Sequence, residues 1–118
     1  MLVDDNAAVR QALHKVFEIY SDLAVCGEAA SGVEGIEKAK ALQPDLIILD
    51  VSMPEMSGLE AARVIHGIMP EVPLILCSLH ADEILRREAK LAGAVAVVSK
   101  TQNMQTLVHK ASELLRAS

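Results

Sequence analysis

Tryptophan is absent from this 118-residue chain, and Phe17 and Tyr20 are its only aromatic residues. So few rings leave little to stack against a planar cofactor such as a flavin. Positive charge is also scarce: 11 Lys and Arg stand against 16 Asp and Glu, for a net charge of -5. Phosphate binding needs clustered Lys and Arg, and no such cluster appears, which argues against direct attraction to nucleic acid or anionic lipid. No apolar stretch approaches the roughly 20 residues of a membrane span. The opening "MLVDDN" puts acids where a signal peptide would need an apolar segment. A soluble cytoplasmic protein without membrane contact is expected. Cys26 and Cys77 stand in separate apolar runs without CxxC or metal-ligand spacing, and both are expected to be buried reduced thiols.

What the chain does have is aliphatic residues, 52 % apolar in total, enough for one core in one domain. Their arrangement is most telling in "PDLIILDVSMPEMSGLE", Pro44 to Glu60. Leu46 to Leu49 run without polar alternation, as suits a parallel strand covered on both faces, and the run ends on Asp50. Other segments alternate around it. Residues 6–20 place Val9, Leu13, Val16, Phe17 and Tyr20 on one helical face, with Asn6 or Asp5 as cap. "LAVCGEA" predicts a second strand. Residues 32–42 predict a second helix with Ile36 and Ala39 inward, stopped by Gln43-Pro44. A third helix over 58–69 carries Leu59, Ala62, Ile65 and Ile68 or Met69 inward. "LILCS" follows as the fourth strand, 82–91 as the fourth helix ended by Gly93, "VAVVS" as the fifth strand, and 104–117 as the last helix. Leu107, Ala111, Leu114 and Leu115 form its inward face. Such alternation with short connections implies right-handed crossovers, hence an α/β doubly wound sandwich around a five-stranded parallel sheet. The first strand has only Met1 to Val3 before its acids, so a start a few residues upstream is expected.

Chemistry gathers at the carboxyl ends of the strands, where open α/β sheets bind ligands. The first strand ends in Asp4-Asp5, the third in Asp50, the fourth in Ser78 and the fifth in Lys100; the second ends in bland Ala29-Ala30-Ser31. In the order 2-1-3-4-5 the bland tip falls on the edge and the polar tips converge. Crowded carboxylates need relief from a proton, a cation or Lys100. Mg²⁺ prefers oxygen ligands at about 2.0–2.1 Å and commonly joins carboxylates to a phosphate. In such a site a carboxylate can attack phosphorus and form an aspartyl phosphate.

"VDD", "LIILDVSMPEMSGLE", "LCS" and "AGAVAVVSK", in this order, resemble the receiver domain of bacterial two-component response regulators, flavodoxin-like in fold, across residues 1–118. The resemblance implies Asp50 as phosphoacceptor, Asp4 and Asp5 with Asp50 and the Ser52 carbonyl as Mg²⁺ ligands, and Ser78 and Lys100 as the switch hydroxyl and lysine. It implies a sensor histidine kinase as phosphate donor, a non-enzymatic signalling role, and dimerisation on phosphorylation as one mode of output. The texture of "MPEMSGLEAARVI" and "LHADEILRREAKLAGA" is similar to receivers of the LuxR type, which precede a helix-turn-helix DNA-binding domain; any such domain is expected outside residues 1–118. Two positions depart from the family. Thr101 follows the lysine where many receivers have Pro, and Val97 stands where many have Tyr or Phe as a rotamer switch.

Each group also has a plainer reading. Asp4 and Asp5 could be helix caps, Asp50 a turn acid, Lys100 a solvated charge, and Ser78 a turn hydroxyl. Only their joint register makes a site. His80 would lie beside it or be a solvated loop residue, while His14, His66 and His109 are scattered and form no ligand set. A flavodoxin-like carrier would need a phosphate-cradling loop after the first strand. A haloacid-dehalogenase-type phosphatase would separate its first-strand acids by one residue, whereas here they are adjacent. An interaction module of the same fold that works without phosphorylation is the remaining alternative.

Overall fold

Ile47 and Leu49 point to one face of the sheet and Ile48 to the other, and all three are buried. This is why the Leu46–Leu49 run shows no polar alternation: both faces are covered, so neither phase of the strand period meets water. In the computed structural model, which describes residues 1–116, strands and helices alternate along the chain. They are β1 (Leu2–Val3), α1 (Ala7–Tyr20), β2 (Glu28–Ala29), α2 (Gly32–Leu42), β3 (Ile47–Asp50), α3 (Gly58–Ile68), β4 (Leu74–Ser78), α4 (Glu83–Leu91), β5 (Ala96–Ser99) and α5 (Met104–Arg116). The five strands are parallel in the order β2-β1-β3-β4-β5, as expected.

Two apolar layers sandwich the sheet. Val3, Ile47, Leu49, Leu74 and Leu76 pack with Ala39 of α2, Ala61, Ala62 and Ile65 of α3, and Ala89 of α4. Leu2, Ile48, Ile75 and Cys77 pack on the other face with Leu13 and Phe17 of α1 and Leu107, Val108 and Ala111 of α5. Small residues on α2 and α3 let those helices lie close to the strands. Gly35 abuts Val3, where an added Cβ would press on the valine methyls.

Caps delimit the helices. Asn6 accepts from the Val9 amide, Ser31 from Glu34, Ser57 from Glu60 and Asp82 from Leu85. Asn6 rather than Asp5 is therefore the first cap, and Asp82 stands just outside α4. Met69 is likewise the cap that closes α3, buried, while Ile68 is exposed. Ala117, expected in the last helix, lies outside the described residues.

Three expectations are corrected. The second strand is only Glu28–Ala29, because the register pairs Leu2 with Glu28 and leaves Leu23–Cys26 beyond Met1, with no strand beside them. In that unpaired extended stretch, Leu23 and Val25 are half-buried while Ala24 and Cys26 are exposed; Cys26 is thus a surface thiol, and only Cys77 is buried. Tyr20 is 56 % exposed and does not share the buried face of α1 with Leu13 and Phe17.

Candidate functional site

Each strand tip delivers its residue to one edge for a backbone reason. Asp50 closes β3, opposite Cys77 in the register, and the Val51 amide continues the ladder by donating to the Cys77 carbonyl at 2.9 Å. Ser78 closes β4, and its carbonyl accepts from the Lys100 amide at 2.8 Å, which fixes the lysine just past the end of β5. Asp4 follows β1, its amide donating to the Ala29 carbonyl at 3.1 Å.

These placements bring Asp4, Asp5, Asp50 and Lys100 together. The Lys100 ammonium lies 2.8 Å from Asp50 Oδ1 and 3.2 Å from Asp4 Oδ2, bridging two acids that are each only 4 % exposed. Carboxylate oxygens of Asp4, Asp5 and Asp50 all lie within 4.8 Å of one another. Asp5 is the exposed member. Three clustered carboxylates supply the hard oxygen donors that a divalent cation such as Mg²⁺ takes, so the residues fit that ion.

Plain structural roles coexist with this. Asp4 Oδ1 accepts from the Asn6 amide at 2.9 Å, so Asp4 does help turn the chain into α1 while its other oxygen faces Lys100. The exposed Ser52 donates its amide to Asp50 Oδ1 at 3.4 Å. Ser78 is buried, and its hydroxyl accepts from the His80 amide at 3.1 Å rather than meeting Asp50 or Lys100. The Thr101 amide donates to Ser99 Oγ, a bond a proline there would forfeit. Of the other histidines, His14 pairs with Glu28 and Glu18, His109 with Glu113, and His66 is half-buried. None joins a ligand group among the described residues.

A half-buried ammonium held by two buried acids thus joins three strand ends. Residues 1–112 match the response regulator receiver domain. The chain belongs to that family. The receiver is 35 % identical over 117 residues to a protein-glutamate methylesterase/protein-glutamine glutaminase of Methanosarcina acetivorans, covering 98 % of this chain and 33 % of that protein. It is 37 % identical over 100 residues to the chemotaxis protein CheY of Thermotoga maritima, covering 85 % and 82 %. A solved two-component response regulator of the LuxR family from Aurantimonas sp. SI85-9A1 superimposes with a TM-score of 0.93 at 28 % identity, covering 99 % and 84 %. The chain spans less than half the length of the first curated relatives it matches, 33 %, 29 % and 49 %. It aligns with part of a methylesterase, and that activity belongs to the relative. Among the described residues of the receiver no helix is long and apolar enough to cross a membrane.

The electrostatics of the receiver's site follow from crowding under cover. Burial raises the Asp50 pKa, and the neighbouring Asp4 charge adds to it; together they outweigh the hydrogen bond from Lys100. Burial works against the Lys100 charge, yet the hydrogen bond and charge of Asp50, with Asp4 behind it, hold the ammonium above its ordinary value. Both directions are compatible, because Asp50 faces a like charge as well as an opposite one whereas Lys100 faces two acids. Beside them, burial pushes the Cys77 thiol up to about 12, which leaves it inert as a nucleophile.

Two contributors escape sequence reasoning. Gly58 packs so closely on the end of β3 that an added Cβ would overlap the Asp50 carbonyl, and its amide donates to the Val51 carbonyl at 3.0 Å. The Ser-Gly pair in "MPEMSGLE" is the visible signal for that close approach. Arg10 donates through Nη1 to the Asp4 carbonyl and through Nε to Glu28 Oε1, and nothing in its helical context marks it.

Proposed function

We propose that this receiver accepts a phosphoryl group on Asp50 from a sensor histidine kinase and uses the resulting rearrangement to control a partner or an output domain. The observation that carries the reading is the Lys100 ammonium bonded at once to Asp50 and Asp4, with Asp5 completing a three-carboxylate donor set. Asp4, Asp5 and Asp50, with the Ser52 carbonyl, would hold Mg²⁺. When bound, that ion would supply charge to offset the phosphoryl oxygens.

The chain's own groups then have distinct tasks. An Asp50 carboxylate oxygen forms the new bond to phosphorus while the bond from phosphorus to the donor nitrogen breaks, its electron pair leaving with the donor imidazole. Lys100 stabilises negative charge gathered on the transferring group, as positioned cations do in phosphoryl transfer. Ser78, next along the edge, can donate its hydroxyl hydrogen to a phosphoryl oxygen, since the bond with His80 uses only its acceptor side. The role is signalling, not turnover. Residues 1–118 form the receiver in this reading, and an output module of the DNA-binding kind lies outside them, with dimerisation on phosphorylation as one route to output.

Incubation with a small phosphodonor and Mg²⁺ tests this by intact-mass measurement. One phosphoryl group is expected on the wild type and none on Asp50→Asn. Wild-type labelling of Asp50→Asn would overturn the assignment, and an unlabelled wild type would favour a module that works without phosphorylation.

A further inference from the structure

The carboxylate of Asp5 is exposed and has no hydrogen-bond or ion-pair partner among the described residues, although one of its oxygens lies within 4.8 Å of an oxygen of Asp4 and of Asp50. Its direction is therefore set by the backbone from which it springs. The peptide joining Asp4 to Asp5 is held from outside: Arg10 Nη1 donates to the Asp4 carbonyl. The same guanidinium is braced across to β2, with Nε 3.2 Å from Glu28 Oε1. Glu28 is itself pinned, its other oxygen 3.0 Å from His14 Nδ1 and its carbonyl accepting from Lys38 Nζ. The arginine is well covered, with 17 % of its side chain exposed. It reaches none of the three clustered carboxylates with an ion pair; its ion pair among the described residues is with Glu28.

We propose that Arg10, braced by Glu28, is a positioning residue that orients the Asp4–Asp5 peptide and so aims the Asp5 carboxylate at the divalent cation. The inference rests on the Mg²⁺ reading above. The planar fork is what allows one side chain to hold two acceptors in fixed directions, one just past β1 and one on β2; an ammonium is a point charge and lacks that geometry.

Electrostatics and positioning predict opposite signs for loss of Arg10. A positive charge near a cation site repels the cation, so on charge alone Arg10→Ala would tighten Mg²⁺ binding. Positioning predicts weakening, and loss of residues that orient metal ligands commonly costs about 10-fold or more in affinity. Mg²⁺ titration followed by amide NMR shifts separates the two. Arg10→Ala and Arg10→Lys are both expected to weaken Mg²⁺ binding by about 10-fold, with the Asp5 amide displaced before any metal is added. Glu28→Gln, which keeps the shape of the brace and lowers its charge, is expected to lose less and covers the case in which Arg10→Ala does not fold. Unchanged or tighter Mg²⁺ binding in Arg10→Ala, or in Arg10→Lys and Glu28→Gln should Arg10→Ala not fold, would overturn the proposal. Asp5→Ala distinguishes the levels: if it binds Mg²⁺ like the wild type, the metal reading itself fails; if it binds weakly while both Arg10 variants bind normally, only the role of Arg10 fails.

Discussion

His14 carries Glu28 on one ring nitrogen at 3.0 Å and Glu18 on the other at 3.2 Å, so its protonated form is favoured from both sides. The hydrogen bond to Glu28 is the larger influence and raises the His14 pKa; the bond to His14 likewise leads the causes that lower the Glu28 pKa. The signs define a window. His14 binds its proton more tightly when folded, so its contribution is full below the unfolded value of about 6.5 and is lost as pH rises through the folded value. Glu28 is depressed, so its contribution is present above its unfolded value and lost as pH falls through the folded one. The pair therefore supports the fold between those limits, and weakly, because solvent screens it. Glu28→Gln is expected to bring the His14 titration, followed by imidazole NMR shifts, down toward the ordinary value of about 6.5; an unmoved titration would mean that Glu18 alone sets it. The pairing of His14 with Glu28 could not be seen in the sequence. Residues 14 and 28 belong to different elements, and only the fold makes them neighbours, as it does Arg10 and Asp4. Asp50, Asp4, Asp5 and Lys100 were legible because each closes a recognisable apolar run, so that knowing the strands locates the tips.

Helices and strands place these tips through close backbone contacts, and α3 offers a comparison within one element. Gly58 opens it where an added Cβ would overlap the Asp50 carbonyl and the Val51 backbone, while Gly67 sits near its end with nothing within 4 Å of such a Cβ. Gly58→Ala forces the backbone of Asp50 to move, and overpacking of that kind costs about 1–3 kcal/mol. Gly67→Ala meets open space in a helix and should stabilise by about 0.5–1 kcal/mol through reduced freedom of the unfolded chain. Urea denaturation of the two variants should therefore give opposite signs, with shifted amides at Asp50 and Val51 in Gly58→Ala only. Equal effects would mean that the end of β3 yields easily and that the close packing has no bearing on the site. Element types were legible throughout because aliphatic runs and helical spacing agree with capping residues. Element lengths were not. The stretch Leu23–Cys26 has strand composition, yet strand identity requires a hydrogen-bonded neighbour, and pairing is a property of the sheet, not of the segment.

Across the whole molecule the question is how a change at Asp50 reaches a surface. The connections run along the sheet edge: the Lys100 amide is bonded to the Ser78 carbonyl, and the Ser78 hydroxyl receives the His80 amide at the start of the segment leading into α4. A phosphoryl group that attracts the Ser78 hydroxyl and the Lys100 ammonium would thus draw on the backbone after both β4 and β5. The next link is weaker. Val97 is half-buried against the α3 and α4 side of the core, and its carbonyl accepts from Arg86 of α4 at 3.2 Å. Its side chain is short and β-branched, restricted at χ1, so it has no large group to swing between surface and interior. The coupling from site to the face formed by α4, β5 and α5 then depends on backbone displacement and on one exposed arginine bond. A bound group shifts an equilibrium only by its differential affinity for the two states, so a smaller rearrangement of that face means modest coupling to any partner there. Amide shift mapping with and without a beryllium fluoride mimic should show large changes at Ser78, His80 and the start of α4, and small ones at Val97 and along α5. Replacing Val97 by Tyr should enlarge the response of the α4, β5 and α5 face if side-chain rotation is what the wild type lacks. Changes at Val97 and α5 equal to those at Ser78 in the wild type would show that backbone motion alone carries the signal across the fold.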